Sequence, residues 1–165
     1  MKQTTIKILI SVLFALCGIS AHAELPDKKV LTLDAALKVA AVAEADALRR
    51  HATVVIVVVD DAGFPLMLHR LDGTQVASVQ VGIDKARTAA IFRRPSKVFE
   101  DQIKNGRIAA LALAGATPLQ GGLPLVYQGK VIGAIGVSGN TPEEDEDIAK
   151  AGVDSLITAI RGAEK

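Results

Sequence analysis

Cysteine and aromatic residues are nearly missing from this 165-residue chain. It has one cysteine, Cys17, no tryptophan, one tyrosine and four phenylalanines. Cys17 lies in an amino-terminal stretch built like an export signal. Lys2 and Lys7 make a basic start, residues 8–19 are almost wholly apolar, and Ala21-His22-Ala23 is a small-x-small cleavage site. The pattern predicts a signal peptide over residues 1–23, cleavage before Glu24, and a single domain over residues 24–165. The expected location is periplasmic or secreted. The apolar run is too short for a membrane span, so no stable span is expected in the mature form. Leu16 is also larger than the residue that usually precedes a lipoprotein cysteine. Removal of Cys17 excludes disulfides, thiolate catalysis and cysteine metal sites.

Charge of one sign is lacking too. The full chain has 19 basic and 18 acidic residues. Loss of Lys2 and Lys7 leaves 17 basic residues against 18 acidic, a net charge of −1. Such a balance gives no basic footprint for nucleic acid and no polybasic membrane contact. With so few aromatics, the core must come from Val, Ile, Leu and Ala.

What is present reads as alternating hairpins and helices. Thr32 caps a predicted helix to about Arg50, with Leu33, Ala36, Leu37, Ala40, Ala43, Ala47 and Leu48 as its apolar face. Thr53 to Val59 is an unbroken β-branched run, the mark of a central strand covered on both faces. Asp60-Asp61-Ala62-Gly63 is a turn, and Phe64 to Leu71 returns as a second strand. A helix is predicted from about Gln75 to Phe92, with Val76, Val79, Ile83, Ala86 and Ala90 inward. A short helix runs on to about Lys104, where Asn105-Gly106 stops it. Residues 108–120 are small and apolar and are read as holding a short edge strand. Gly121 to Tyr127 and Lys130 to Val137 flank Gln128-Gly129, a hairpin signal. Gly133 and Gly136 weaken that last strand unless a helix or a ligand approaches its backbone closely. Thr141, Pro142 and Glu144 form a capping box that opens the final helix. The architecture is α+β, with a five-stranded antiparallel sheet flanked by helices.

Few residues suggest chemistry, and each has a structural alternative. Ser138 stands in Gly136-Val137-Ser138-Gly139, which lacks the Gly-x-Ser-x-Gly spacing of a nucleophile elbow. It is a turn serine or part of an anion pocket at the helix start. Glu143 and Glu146 share one helix face, as a solvated first turn or as carboxylates for iron. The mature chain keeps two histidines, His51 and His69, and no His-Glu-x-x-His pair, which argues against a zinc hydrolase. His69 is a half-exposed strand residue or an iron ligand. Arg70, Asp72, Lys85, Arg87 and Thr88 surround the second strand and the next helix. They are solvated surface groups or binders of ligand carboxylates.

Several blocks in order resemble one known family. They are Arg70-Leu71-Asp72-Gly73, Asp84-Lys85-Ala86-Arg87-Thr88-Ala89, Gly121-Gly122-Leu123-Pro124-Leu125, Gly133 through Gly139, and the acidic turn with Ala151-Gly152. Together they resemble the GlcG/HbpS family, the haem-degrading domain DUF336, over about Leu31 to Ile160. The resemblance implies a profilin-like or roadblock-like antiparallel sheet and a homo-oligomer, often an octamer. It implies haem binding, with haem degradation or iron sequestration among the activities of members. Haem needs an apolar slot and a basic rim. His69, Arg70, Lys85, Gly121, Gly122 and Ser138 are the expected cofactor contacts, with His51 and Tyr127 as other possible ligands. Glu143 and Glu146 look like the iron-binding pattern of haem-linked members. The alternatives are a non-catalytic module for a small metabolite or corrinoid, and an oligomeric scaffold or sensor accessory.

Overall fold

A computed structural model of the chain describes residues 24–161, so the signal-peptide reading and Cys17 lie outside the described residues. Helix α1 (Leu33–Arg49) precedes a hairpin of β1 (Val55–Asp60) and β2 (Pro65–Arg70). Helices α2 (Ser78–Phe92) and α3 (Lys97–Lys104) follow. A 3-10 segment (Ile108–Ala112) leads to a second hairpin of β3 (Gly122–Tyr127) and β4 (Lys130–Ser138), and α4 (Pro142–Arg161) is the last described element. The sheet has four strands in the order β2-β1-β4-β3, every neighbour antiparallel.

The expected fifth strand is therefore absent from the described residues. Residues 108–112 form a 3-10 helix, and residues 113–119 carry no regular element. Gly115 adopts a left-handed φ of 79°, and Pro118 lacks an amide donor, so this stretch suits no ladder.

Each hairpin turn follows from its residues. The Asp60 carboxylate accepts from the amides of Ala62 and Phe64 at 2.9 and 2.8 Å, which closes the first turn. Gln128 and Gly129 both take positive φ, 49° and 74°, as a tight two-residue hairpin turn requires. Both helix caps also form as expected. Thr32 accepts from the Ala35 amide, and the Thr141 hydroxyl accepts from the Glu144 amide while donating to the Glu144 carboxylate, which replaces the backbone bond of a full capping box.

Helices cover both faces of the sheet. Every residue from Val54 to Val59 is fully buried. Val54, Ile56 and Val58 face α1 and α4 together with Ile135 and Val137, whereas Val55, Val57 and Val59 face α2 with Ala134. The α2 face settles the glycine question in favour of a helix at Gly136. A Cβ there would stand 2.3 Å from the Gly82 carbonyl oxygen and 2.6 Å from the Ala86 amide nitrogen. Backbone meets backbone at that point, and only glycine permits it.

Two helix faces differ from the sequence reading. Alanines and Val39 form the buried stripe of α1, while Leu33, Leu37 and Leu48 are exposed. Helix α2 starts at Ser78, which leaves Val76 exposed before it. Small residues occupy these contacts because the helices lie too close for leucine.

Candidate functional site

The sheet separates the expected site residues into two groups. His69 pairs with Ile56 across the β1–β2 ladder, so its side chain stands on the α1 face. Lys85, on α2, lies on the opposite face. A single pocket holding both is thereby excluded.

On the α1 face, His69 meets one residue of α1. Its Nδ1 lies 2.7 Å from Oε2 of Glu44. The pair is half-exposed. A carboxylate at Nδ1 favours the tautomer with the proton there, which leaves the Nε2 lone pair outward. Nε2 has no hydrogen-bond partner among the described residues. Arg70, the next residue, points the other way, and its guanidinium donates to the Thr74 carbonyl at 2.6 Å. It ties down the loop before α2 rather than extending a basic rim beside His69.

On the α2 face, β4 ends at Ser138, directly across from Val55, which in turn pairs with Arg70. There Lys85 and Asp145 form a buried ion pair, Nζ to Oδ2 at 2.7 Å. Their side chains are 5% and 3% exposed, so neither charge reaches bulk water. Lys85 also donates to the Val137 carbonyl at 3.0 Å, and Asp145 accepts from the Asn140 amide at 3.0 Å. Burial pushes the Asp145 carboxyl up from its ordinary value. The Lys85 ammonium and the amides of Asn140 and Gly139 offset this only in part. Lys85 is thus sequestered rather than free to meet the carboxylates of a large ligand.

Gly121 and Gly122 carry the chain over this pair. A Cβ at Gly121 would meet the Val137 carbonyl oxygen at 2.8 Å and Lys85 Nζ at 3.0 Å. One at Gly122 would lie 2.2 Å from the Lys85 carbonyl oxygen. Their absent side chains make room for α2. Ser96 joins the same passage, since its hydroxyl accepts from the Gly122 amide at 2.9 Å.

Beside the pair is a cavity of about 220 Å³. Ser78, Lys85, Glu100, Gln120, Ser138 and Asp145 supply its polar wall. Ser138 is buried there as the last residue of β4, paired with Val55, so it is a strand residue and not the turn serine that the sequence suggested. Asp145, Ser78, Glu100 and Gln120 are the members that sequence reasoning missed. Asp145 sits inside the run Glu143 to Asp147, and no local signal distinguishes it from its solvated neighbours. Only its place one turn beyond the Thr141 cap directs it inward.

Glu143 and Glu146 lie three residues apart on α4 and differ in exposure. Glu143 is exposed, whereas Glu146 is half-buried beside Gln120, with one carboxylate oxygen buried and unpartnered. Burial raises the Glu146 carboxyl, and the contact with Gln120 and the charge of Lys97 oppose the rise. Among the described residues, no three His, Cys, Asp or Glu side chains group as a metal site. No described helix is long and apolar enough to cross a membrane.

Comparison with known proteins places this arrangement in a family. A family model described as haem degrading protein HbpS-like matches residues 31–154. Protein GlcG of Escherichia coli K12 is 39% identical over 111 residues, which cover 67% of this chain and 83% of GlcG. The crystal structure of Klebsiella pneumoniae ORFY, of DUF336, superposes with a TM-score of 0.77 at 30% identity, covering 84% of this chain and 98% of ORFY. The crystal structure of HbpS gives 0.74 at 31% identity, covering 84% of this chain and 99% of HbpS. A family model spanning most of the chain, a close relative and two shared folds agree, and the chain belongs to the HbpS-like family.

Proposed function

We propose that this chain is an exported haem-binding protein, with His69 as the axial ligand. One observation carries the reading. The Glu44 carboxylate holds Nδ1 of His69 at 2.7 Å on a half-exposed face, and so turns Nε2 outward. Histidines that ligate metals commonly donate their other ring N–H to a carboxylate, which fixes the ring and raises its basicity. Leu48, one turn along α1 from Glu44, is exposed and offers apolar contact to a porphyrin edge. Bound haem would bring a redox-active iron. The chain's own residues supply the ligand, its tautomer and the apolar contact. The description of the family as haem degrading supports the same ligand class.

Export rests on the basic start, apolar run and Ala21-His22-Ala23 of the sequence. Intact mass of the exported form should correspond to a chain beginning at Glu24. Self-assembly, with an octamer as the family's frequent form, is part of the same proposal. Mass in solution checks it.

The decisive test is hemin titration of the purified mature protein beside His69→Ala. Wild type should give a saturable Soret shift, and the variant should lose it. If wild type gives none, a metabolite-binding module or an oligomeric scaffold takes the place of this reading. If both proteins give the same spectrum and affinity, His69 is not the ligand.

A further inference from the structure

The cavity at the end of β4 lies across the sheet from His69, and haem binding leaves it unused. Its wall holds an unpartnered group. Ser78 is 1% exposed, and its hydroxyl has no hydrogen-bond partner among the described residues. A buried hydroxyl in that condition is unfavourable until something enters to meet it. Lys85 keeps one N–H unengaged. Its ammonium carries three protons, and two are engaged by Val137 and Asp145. The space of about 220 Å³ far exceeds the ~10–15 Å³ that one water needs, so a single bridging water cannot fill it.

The charges of the wall select what fits. Lys85 is neutralised by Asp145, and Glu100 by Lys104 of its own helix. Glu100 also accepts from the Gln120 amide at 2.7 Å. An anion entering would face the carboxylates of Asp145 and Glu100. A cation would face the Lys85 ammonium. Either would lose water without gaining a net opposite charge. A neutral hydroxyl incurs no such loss, since it accepts from Lys85 or Ser78 and donates to a carboxylate. Gln75 and Asn140 add neutral polar groups to the wall, and Val81, Leu119 and Pro142 add apolar surface suited to C–H groups.

We propose that this cavity binds a small, uncharged polyol. Ser78 and Lys85 donate to its hydroxyls, and the carboxylates of Asp145 and Glu100 accept from them. The site is separate from the haem site in residues, in sheet face and in readout.

The test is a titration of nitrogen-15-labelled mature protein with glycerol and with erythritol, followed by amide shifts. Phosphate, acetate and ethylammonium at matched ionic strength are the comparisons. Polyols should give saturable shifts at Ser78, Gly121 and Ser138, and the ions should not. Ser78→Ala should weaken binding about tenfold, the loss of one hydrogen bond, with the fold kept because that hydroxyl holds nothing in the free protein. Ala77→Leu, at the exposed mouth of the cavity, should abolish binding while leaving the spectrum otherwise folded. The proposal is overturned by non-saturating polyol shifts, by equal affinity in Ser78→Ala, or by saturable binding of an ion in preference. A hemin titration without a Soret shift would leave it standing, because no haem contact enters it.

Discussion

Lys85–Asp145 and His69–Glu44 are both cationic or basic groups set 2.7 Å from a carboxylate, yet they differ in kind. The first is buried beneath Gly121 and Gly122, with the Val137 carbonyl and the Asn140 amide as further partners from the chain. The second lies open between an edge strand and a helix, with one ring nitrogen to spare. Burial decides what such a pair is for. A buried pair fixes the relation of α2 to α4 and is costly to break. An exposed pair adds little to stability and can orient a group toward a ligand.

Breaking the buried pair should give the largest effect. Lys85→Met strands the Asp145 carboxylate in the interior, and about 3–5 kcal/mol of stability should be lost. Urea unfolding followed by circular dichroism measures it, and a loss below 1 kcal/mol would mean that the pair is not sealed. The Lys85→Met, Asp145→Leu double variant should recover a large part of the loss, since no unpaired charge remains.

Next comes the close packing that encloses the pair. Gly136→Val forces a branched side chain against the backbone of Gly82 and Ala86, with a cost of about 1–3 kcal/mol. An unchanged melting temperature and oligomer size would show that α2 can move away freely.

The open pair should hardly register in stability. His69→Ala should shift unfolding by less than about 0.5 kcal/mol while removing the hemin spectrum. Glu44→Gln is the finest probe. It keeps the shape but removes the carboxylate that holds the ring at Nδ1, so hemin affinity should fall about tenfold with stability unchanged. A Glu44→Gln protein that binds hemin as wild type does would reduce this contact to an ordinary surface pair.

The two regions were not equally legible in the sequence. The β-branched run before Asp60, the Gln128-Gly129 turn and the Thr32 and Thr141 caps each specify their structure locally, and each formed as expected. Residues 108–120 carry only small apolar side chains and no period, so an edge strand and a 3-10 turn read alike. In α1 the 3.6 period is satisfied by more than one stripe. Leu33, Leu37 and Leu48 look like the inward face until the close approach of α4 selects alanines. At Gly152 a Cβ would meet the Ile135 side chain at 2.8 Å and the Val39 carbonyl oxygen at 3.2 Å, a measure of how little room there is. His69 and Lys85 both stood out as single residues. Their partners did not, because Glu44 and Asp145 lie 25 and 60 positions away along the chain.

The position of β1 between β2 and β4 bears on the order in which the molecule can assemble. Val57 pairs with Leu68 across a short turn, but its other edge waits for Gly136, near the far end of the chain. Until the second hairpin arrives, the most apolar strand keeps one side unpaired. Closing so long a loop is slow relative to the local hairpin. A chain emerging from the ribosome therefore cannot complete its sheet early. That delay leaves the chain unfolded for longer, the state that the export proposed above would need.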